Sequence, residues 1–142
     1  MTTSILRHKP RVLVCDDEQD HASTLVRLLT REGFEAEAVH HVAEAVEALG
    51  RQPFDIILTD LIMPGHTGID LLKAVRHLDM DVDIILMTAF GTVERAVDAM
   101  RSGAQDFLVK PIRKAQLQRS LQRVLEKRTL ARENMGLRQQ IE

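Results

Sequence analysis

At 142 residues, 44% hydrophobic and 28% charged, the chain has the length and composition of roughly one globular domain with a single core. No apolar stretch approaches the ~18 residues that span a bilayer, the first ten residues lack the apolar run of a signal peptide, and the single Cys15 allows neither an intrachain disulfide nor a CxxC metal pair, so the cytoplasm is the expected compartment. The net charge of −2 hides an asymmetry: residues 1–112 carry 11 Lys/Arg against 18 Asp/Glu, whereas residues 113–142 carry 8 against 3.

Two periodicities alternate along the acidic body. The runs Val12-Leu13-Val14-Cys15, Ile56-Ile57-Leu58-Thr59 and Ile84-Ile85-Leu86-Met87 are short, continuous and rich in β-branched residues, as strands covered on both faces require. Between them, Ala22, Leu25, Val26 and Leu29, then Val42, Ala45, Val46 and Leu49, then Val93, Ala96, Val97 and Met100, follow helical spacing. Gly33, Gly50 and Gly103 stand where helices end, and Thr92 where one begins. The predicted elements are β(10–15) α(20–32) β(34–39) α(41–50) β(54–59) α(68–78) β(83–87) α(92–102) β(105–109) and a helix from 112 onward. Five βα units predict a doubly wound α/β domain over residues 10–125, preceded by a tail of residues 1–9.

In such folds, ligands bind beyond the carboxyl ends of the strands. The first strand ends in Asp16-Asp17, the third in Asp60, the fourth in Thr88-Ala89 and the fifth in Lys110-Pro111. An acidic residue or a Thr at one strand end is ordinary; four aligned ends carrying three carboxylates, a hydroxyl and an amine are not. Like charges cost about 4 kcal/mol per pair at 4 Å and an effective dielectric near 20, so the crevice calls for a cation. Oxygen ligands without His or Cys suit Mg²⁺. With that ion in place Asp60 is a candidate nucleophile toward phosphorus, and Thr88 and Lys110 are the groups available to neutralise phosphoryl oxygens.

These residues resemble those of bacterial response-regulator receiver domains. The resemblance rests on Asp16-Asp17, the run Leu58-Thr59-Asp60-Leu61-Ile62-Met63-Pro64-Gly65, Thr88-Ala89 and Phe107-Leu108-Val109-Lys110-Pro111, and covers about residues 10–125. It implies a flavodoxin-like five-stranded sheet of order 2-1-3-4-5. It also implies Asp60 as phosphoacceptor, Asp17 as a direct Mg²⁺ ligand, Asp16 close by through water, and the Ile62 backbone carbonyl as a further metal ligand. Lys110 pairs with the phosphoryl group in such domains, its bond to Pro111 is cis, and Thr88 and Phe107 form a switch pair. The donor is a phosphohistidine on a sensor kinase. Ile62 and Phe90 flank the acceptor without a group to orient water, so a long-lived phosphoaspartate is expected. A Mg²⁺-dependent phosphohydrolase using Asp60 is the alternative, but the acid it needs two residues on is replaced by Ile62.

Other candidates are weaker. His40-His41 cannot share a helix face and read as a solvated helix start; His66 reads as a surface residue or a partner contact; Cys15 reads as a small buried apolar group. Gly65-His66-Thr67-Gly68 lacks the ending of a phosphate-binding loop.

After Pro111, Leu117, Leu121 and Val124 face the body. The stripe then shifts to Leu130, Asn134, Leu137 and Ile141, the seam of a short coiled coil with a polar Asn in register, so residues 126–142 read as a helical linker and the chain as a homodimer. The tail's basic residues are scattered among acids and make no phosphate-facing stripe. With no Trp, no Tyr and four Phe there is no stacking platform either, so this segment is not expected to bind nucleic acid itself. Segments 88–97 and 103–111 and the tail resemble the nitrogen-regulator (NtrC-type) class of enhancer-binding transcription activators, in which DNA is bound through a separate effector domain. The chain is expected to be either an excised receiver with its linker or a short natural regulator, and its stop inside a helix favours excision.

Overall fold

The computed structural model describes residues 9–89 and 93–141, with side chains described through residue 133. In chain order the elements are β1 (Arg11–Cys15), α1 (Gln19–Arg31), β2 (Glu35–Val39), α2 (Val42–Arg51), β3 (Ile56–Asp60), β4 (Ile62–Met63), β5 (His66–Thr67), α3 (Gly68–His77), β6 (Asp83–Thr88), α4 (Val93–Arg101), β7 (Asp106–Val109) and α5 (Lys114–Ile141). Five strands form one sheet of order β2-β1-β3-β6-β7, parallel throughout. Counting only these five strands, that is the expected 2-1-3-4-5 order. The hairpin β4–β5 was not foreseen, because two-residue strands carry no periodicity to read.

Alternation along the central strands splits the interior into two cores. Leu13, Cys15, Ile57, Ile84 and Leu86 point to the face covered by α2, α3 and α4. Val12, Val14, Ile56, Leu58, Ile85 and Met87 point to the face covered by α1 and α5. Both faces are covered and buried, which is why these strands read as unbroken apolar runs. Each fully buried Leu or Ile contributes about 2 kcal/mol by removal from water. Burial also pushes the Cys15 thiol up to about 11, leaving it the inert apolar residue its sequence context suggested.

Two local expectations need correction. Gly50 does not cap α2; it lies inside the helix, which ends at Gln52 with φ −157°. The residue before a proline is driven out of the helical region, so Pro53 terminates α2 where a glycine was expected to. On α4, Val97 is 42% exposed, and the buried face is carried by Ala96 and Ala99 with Met100 packed beside them. Gly33 and Gly103 do adopt positive φ (95° and 117°) after their helices. Thr92, the expected start of α4, lies outside the described residues.

Helix α5 extends the interior further than its apolar residues suggest. Leu117, Leu121 and Val124 are buried, and at the next position of the same stripe Arg128 is only 9% exposed. Its Nη1 lies 2.9 Å from Asp83 Oδ2 and 3.5 Å from Asp81 Oδ1, and its Nη2 lies 3.8 Å from Asp55 Oδ1. These carboxylates sit at or just before the amino ends of β3 and β6, opposite the edge where Asp60 stands. Arg132 reaches Asp55 as well, at 3.8 Å. Leu130, by contrast, is 58% exposed. The side chains of Asn134, Leu137 and Ile141, the rest of the expected seam, lie outside the described residues.

Candidate functional site

The parallel register brings the site together. Cys15 pairs with Thr59, Asp60 with Met87, and Thr88 with Val109. Asp16 and Asp60 therefore emerge level at one edge, with Thr88 one residue and Lys110 two residues further along. Asp16 and Thr88 are fully buried and Asp60 is 7% exposed. One carboxylate oxygen from each of Asp16, Asp17 and Asp60 lies within 4.8 Å of the others. Lys110 Nζ donates to Asp60 Oδ2 at 2.9 Å. The Lys110 amide donates to the Thr88 carbonyl at 2.8 Å, and the Lys110–Pro111 peptide is cis as expected.

The electrostatics agree with the crowding. Burial pushes the Asp60 carboxyl up to about 6; the Lys110 hydrogen bond pulls it down, and the charge of Asp16 pushes it up again. One lysine does not offset three carboxylates. An all-oxygen set with surplus negative charge is what a hard divalent cation takes as ligands, so the residues present fit Mg²⁺.

Two close approaches shape the loop after Asp60. Gly68, the first residue of α3, sits so near the strand that an added Cβ would lie 2.7 Å from the Asp60 carbonyl oxygen. Its amide donates to the Leu61 carbonyl at 2.7 Å. Thr67 caps α3 by accepting from the Asp70 amide, while the Asp70 side chain accepts from the Thr67 amide. Ile62 starts β4, pairs with Thr67 and is exposed at its side chain. Phe107 is half-buried on β7 against the first core. Phe90 lies outside the described residues.

Two site residues escaped the sequence reading. His21 on α1 contacts Asp16 Oδ2 through Nδ1, and the Glu18 amide donates to Asp16 Oδ1 at 2.9 Å. His40, expected to be a solvated helix start, instead directs Nδ1 at the Asp16 carbonyl oxygen, 2.9 Å away. Their separations from Asp16, five and 24 residues, belong to no motif. Only the proximity of β2 to β1 puts His40 there. His66 lies beside Asp70 at the surface, 3.9 Å apart.

Sheet order and strand-end chemistry together are those of a two-component receiver. The chain belongs to that family: residues 12–122 match the response regulator receiver domain. Among curated relatives, the C4-dicarboxylate transport transcriptional regulatory protein DctD of Rhizobium meliloti is 35% identical over 133 residues, covering 94% of this chain and 29% of the relative. The response regulator protein PilR of Pseudomonas aeruginosa is 35% identical over 104 residues, covering 73% and 23%. Among solved structures, NtrX from Brucella abortus superposes with a TM-score of 0.86 at 28% identity, covering 92% of this chain and 30% of that one. The signal receiver domain of a putative Luxo repressor protein from Vibrio parahaemolyticus gives 0.81 at 30% identity, covering 87% and 95%. The receiver is thus of the nitrogen-regulator type, and the chain spans under a third of the length of these curated relatives. Among the described residues no helix is long and apolar enough to cross a membrane.

Proposed function

We propose that Asp60 accepts a phosphoryl group from the phosphohistidine of a sensor kinase. One carboxylate oxygen of Asp60 bonds to phosphorus as the phosphorus–nitrogen bond breaks, and the imidazole leaves with the electron pair. The observation that carries this is the Lys110 ammonium 2.9 Å from a buried Asp60 carboxylate clustered with Asp16 and Asp17. Asp16, Asp17, Asp60 and the Ile62 backbone carbonyl are the groups to hold Mg²⁺. When bound, that ion neutralises phosphoryl oxygens. Lys110 pairs with a second phosphoryl oxygen, and the Thr88 hydroxyl donates to a third.

The arriving dianion changes what Thr88 and Lys110 are attracted to. Thr88 turns toward it, and the half-buried Phe107 turns into the space given up, remodelling the surface of α4 and β7. Output follows through α5: a homodimer joined along Leu130, Asn134, Leu137 and Ile141, passing the signal to a DNA-binding effector domain in a cytoplasmic regulator of transcription. Hydrolysis of the phosphoaspartate is slow, because exposed Ile62 offers no group to orient water. A phosphohydrolase reading finds no support at Ile62, which cannot protonate a leaving group.

Intact mass after incubation with a small acyl phosphate and Mg²⁺ tests the central claim. One added phosphoryl group is expected on the wild type and none on Asp60→Asn; an unmodified wild type sinks it. The adduct is expected to outlast minutes in Mg²⁺ buffer. For the seam, light scattering on a chain ending near residue 125 is expected to show loss of the dimer.

A further inference from the structure

We propose that His21 is a positioning residue for the Mg²⁺ site, holding the Asp16 carboxylate in the orientation in which it faces Asp17 and Asp60. The inference rests on the metal-dependent reading above and adds a residue to it.

Asp16 is fully buried, so its charge must be matched by donors rather than by water. Its two carboxylate oxygens are held separately. Oδ1 accepts from the Glu18 amide at 2.9 Å, and Oδ2 accepts from His21 Nδ1. The backbone carbonyl of the same residue accepts from His40 Nδ1 at 2.9 Å. Asp16 is therefore gripped at both carboxylate oxygens and at its main chain, from α1 on one side and the end of β2 on the other. A carboxylate acceptor assigns the imidazole proton to Nδ1 in the neutral ring, and the His21 side chain is 23% accessible.

The consequence for ion binding is geometric. The Glu18 amide and His21 together fix the plane of the Asp16 carboxylate, and tilting that plane about the Cβ–Cγ bond would break both hydrogen bonds and swing its oxygens out of line with Asp17 and Asp60. His21 blocks that rotation. Without it, the Asp16 carboxylate keeps the Glu18 amide as its donor on one oxygen and loses the donor on the other, and the cluster loses the preorganisation that lets three carboxylates converge within 4.8 Å. Hydrogen-bond partners one step behind a ligand are typically worth about 10–100-fold in metal affinity. His21 stands on the first turn of α1, outside both hydrophobic cores, so its side chain can be changed without opening either of them.

Isothermal titration of the full chain with Mg²⁺ separates the outcomes. His21→Ala is expected to weaken Mg²⁺ binding about tenfold or more. His21→Asn, whose side-chain amide nitrogen stands where Nδ1 does, is expected to stay within about threefold of the wild type. Thermal melting without Mg²⁺ reports whether each variant folds; should His21→Ala not fold, His21→Phe against His21→Asn carries the same contrast. Equal affinities for wild type and His21→Ala overturn the proposal, as do equally weakened Ala and Asn variants, which would mean that the ring and not the donor matters. A wild type that binds no Mg²⁺ overturns both this role and the metal-dependent reading, whereas a wild type that binds with no dependence on His21 overturns this role alone.

Discussion

Lys110 Nζ lies 2.9 Å from Asp60 Oδ2, and the two residues are 50 positions apart in the chain. The contact is a hydrogen-bonded ion pair on a carboxylate that is otherwise buried among like charges. It makes Lys110 the principal group keeping Asp60 ionisable.

Replacing that lysine isolates its effect. In Lys110→Met the lowering influence is gone while burial and Asp16 remain, so Asp60 should titrate above its wild-type value of about 6. Carbon-13 titration of the Asp60 carboxyl, without Mg²⁺, reads this directly. An unchanged or lower value would mean that the ion pair does not form in solution.

The raised Asp60 value also makes stability depend on pH. An unfolded aspartate titrates near 4 and the folded one at about 6, so between these values the folded chain binds more protons than the unfolded chain. Stability contributed by this residue is therefore complete below about pH 4 and falls as pH rises through 6. With a chelator present, Asp60→Asn should be more stable than the wild type at pH 7.5 by about 1–2 kcal/mol once solvent screening is allowed for. That gain should vanish near pH 4. Chemical denaturation at the two pH values checks both the sign and the window.

Gly68 is the position where backbone space, not chemistry, protects the end of β3 at Asp60. A Cβ there would meet the Asp60 carbonyl at 2.7 Å, the Leu86 side chain at 3.0 Å and Leu61 Cα at 3.3 Å. Since the first and last of these are main-chain atoms in or next to β3, Gly68→Ala must displace the strand end. A loss of about 1–3 kcal/mol in denaturant unfolding is expected, with slower phosphorylation by acyl phosphate. The exposed Gly65→Ala change, at φ 79°, carries turn strain but meets nothing within 4 Å, and should slow phosphorylation less.

At the opposite edge of the sheet, Arg128→Ala removes the cation shared by Asp83, Asp81 and Asp55. Leaving the partly buried Asp83 without it, and Asp55 with Arg132 alone, should cost about 2 kcal/mol or more. The neighbouring Leu130→Ala, at a position 58% exposed, should change monomer stability by less than about 0.5 kcal/mol. Urea unfolding of the two variants at a concentration where the chain is monomeric gives the comparison. Equal effects would show that α5 is not anchored through Arg128.

Most of the fold and the core of the site were legible because both are written locally. Apolar runs at Val12–Cys15, Ile56–Thr59 and Ile84–Met87 can bury both faces only in a covered parallel sheet, and strand ends in a parallel sheet share an edge. Asp16, Asp17, Asp60, Thr88 and Lys110 follow from that alone. What the local pattern misjudged was position within a turn: Val97 and Ala99 are two residues apart on α4, and only packing against the first core decides which of them faces inward.

The amino-acid sequence by itself determined the α/β class, the two-faced sheet and the gathering of carboxylates at one edge, since each depends on residue type and short spacing. Tertiary structure alone decided the rest. Arg128 occupies a core position because Asp55, Asp81 and Asp83 make the floor of the sheet acidic, 45 and more residues away from it in sequence. His21 and His40 serve Asp16 because α1 and the end of β2 converge on the same strand end. Charge pairing acts through space and has no period, so the −7 of the body and the +5 of the tail became informative only once folding showed which charges meet.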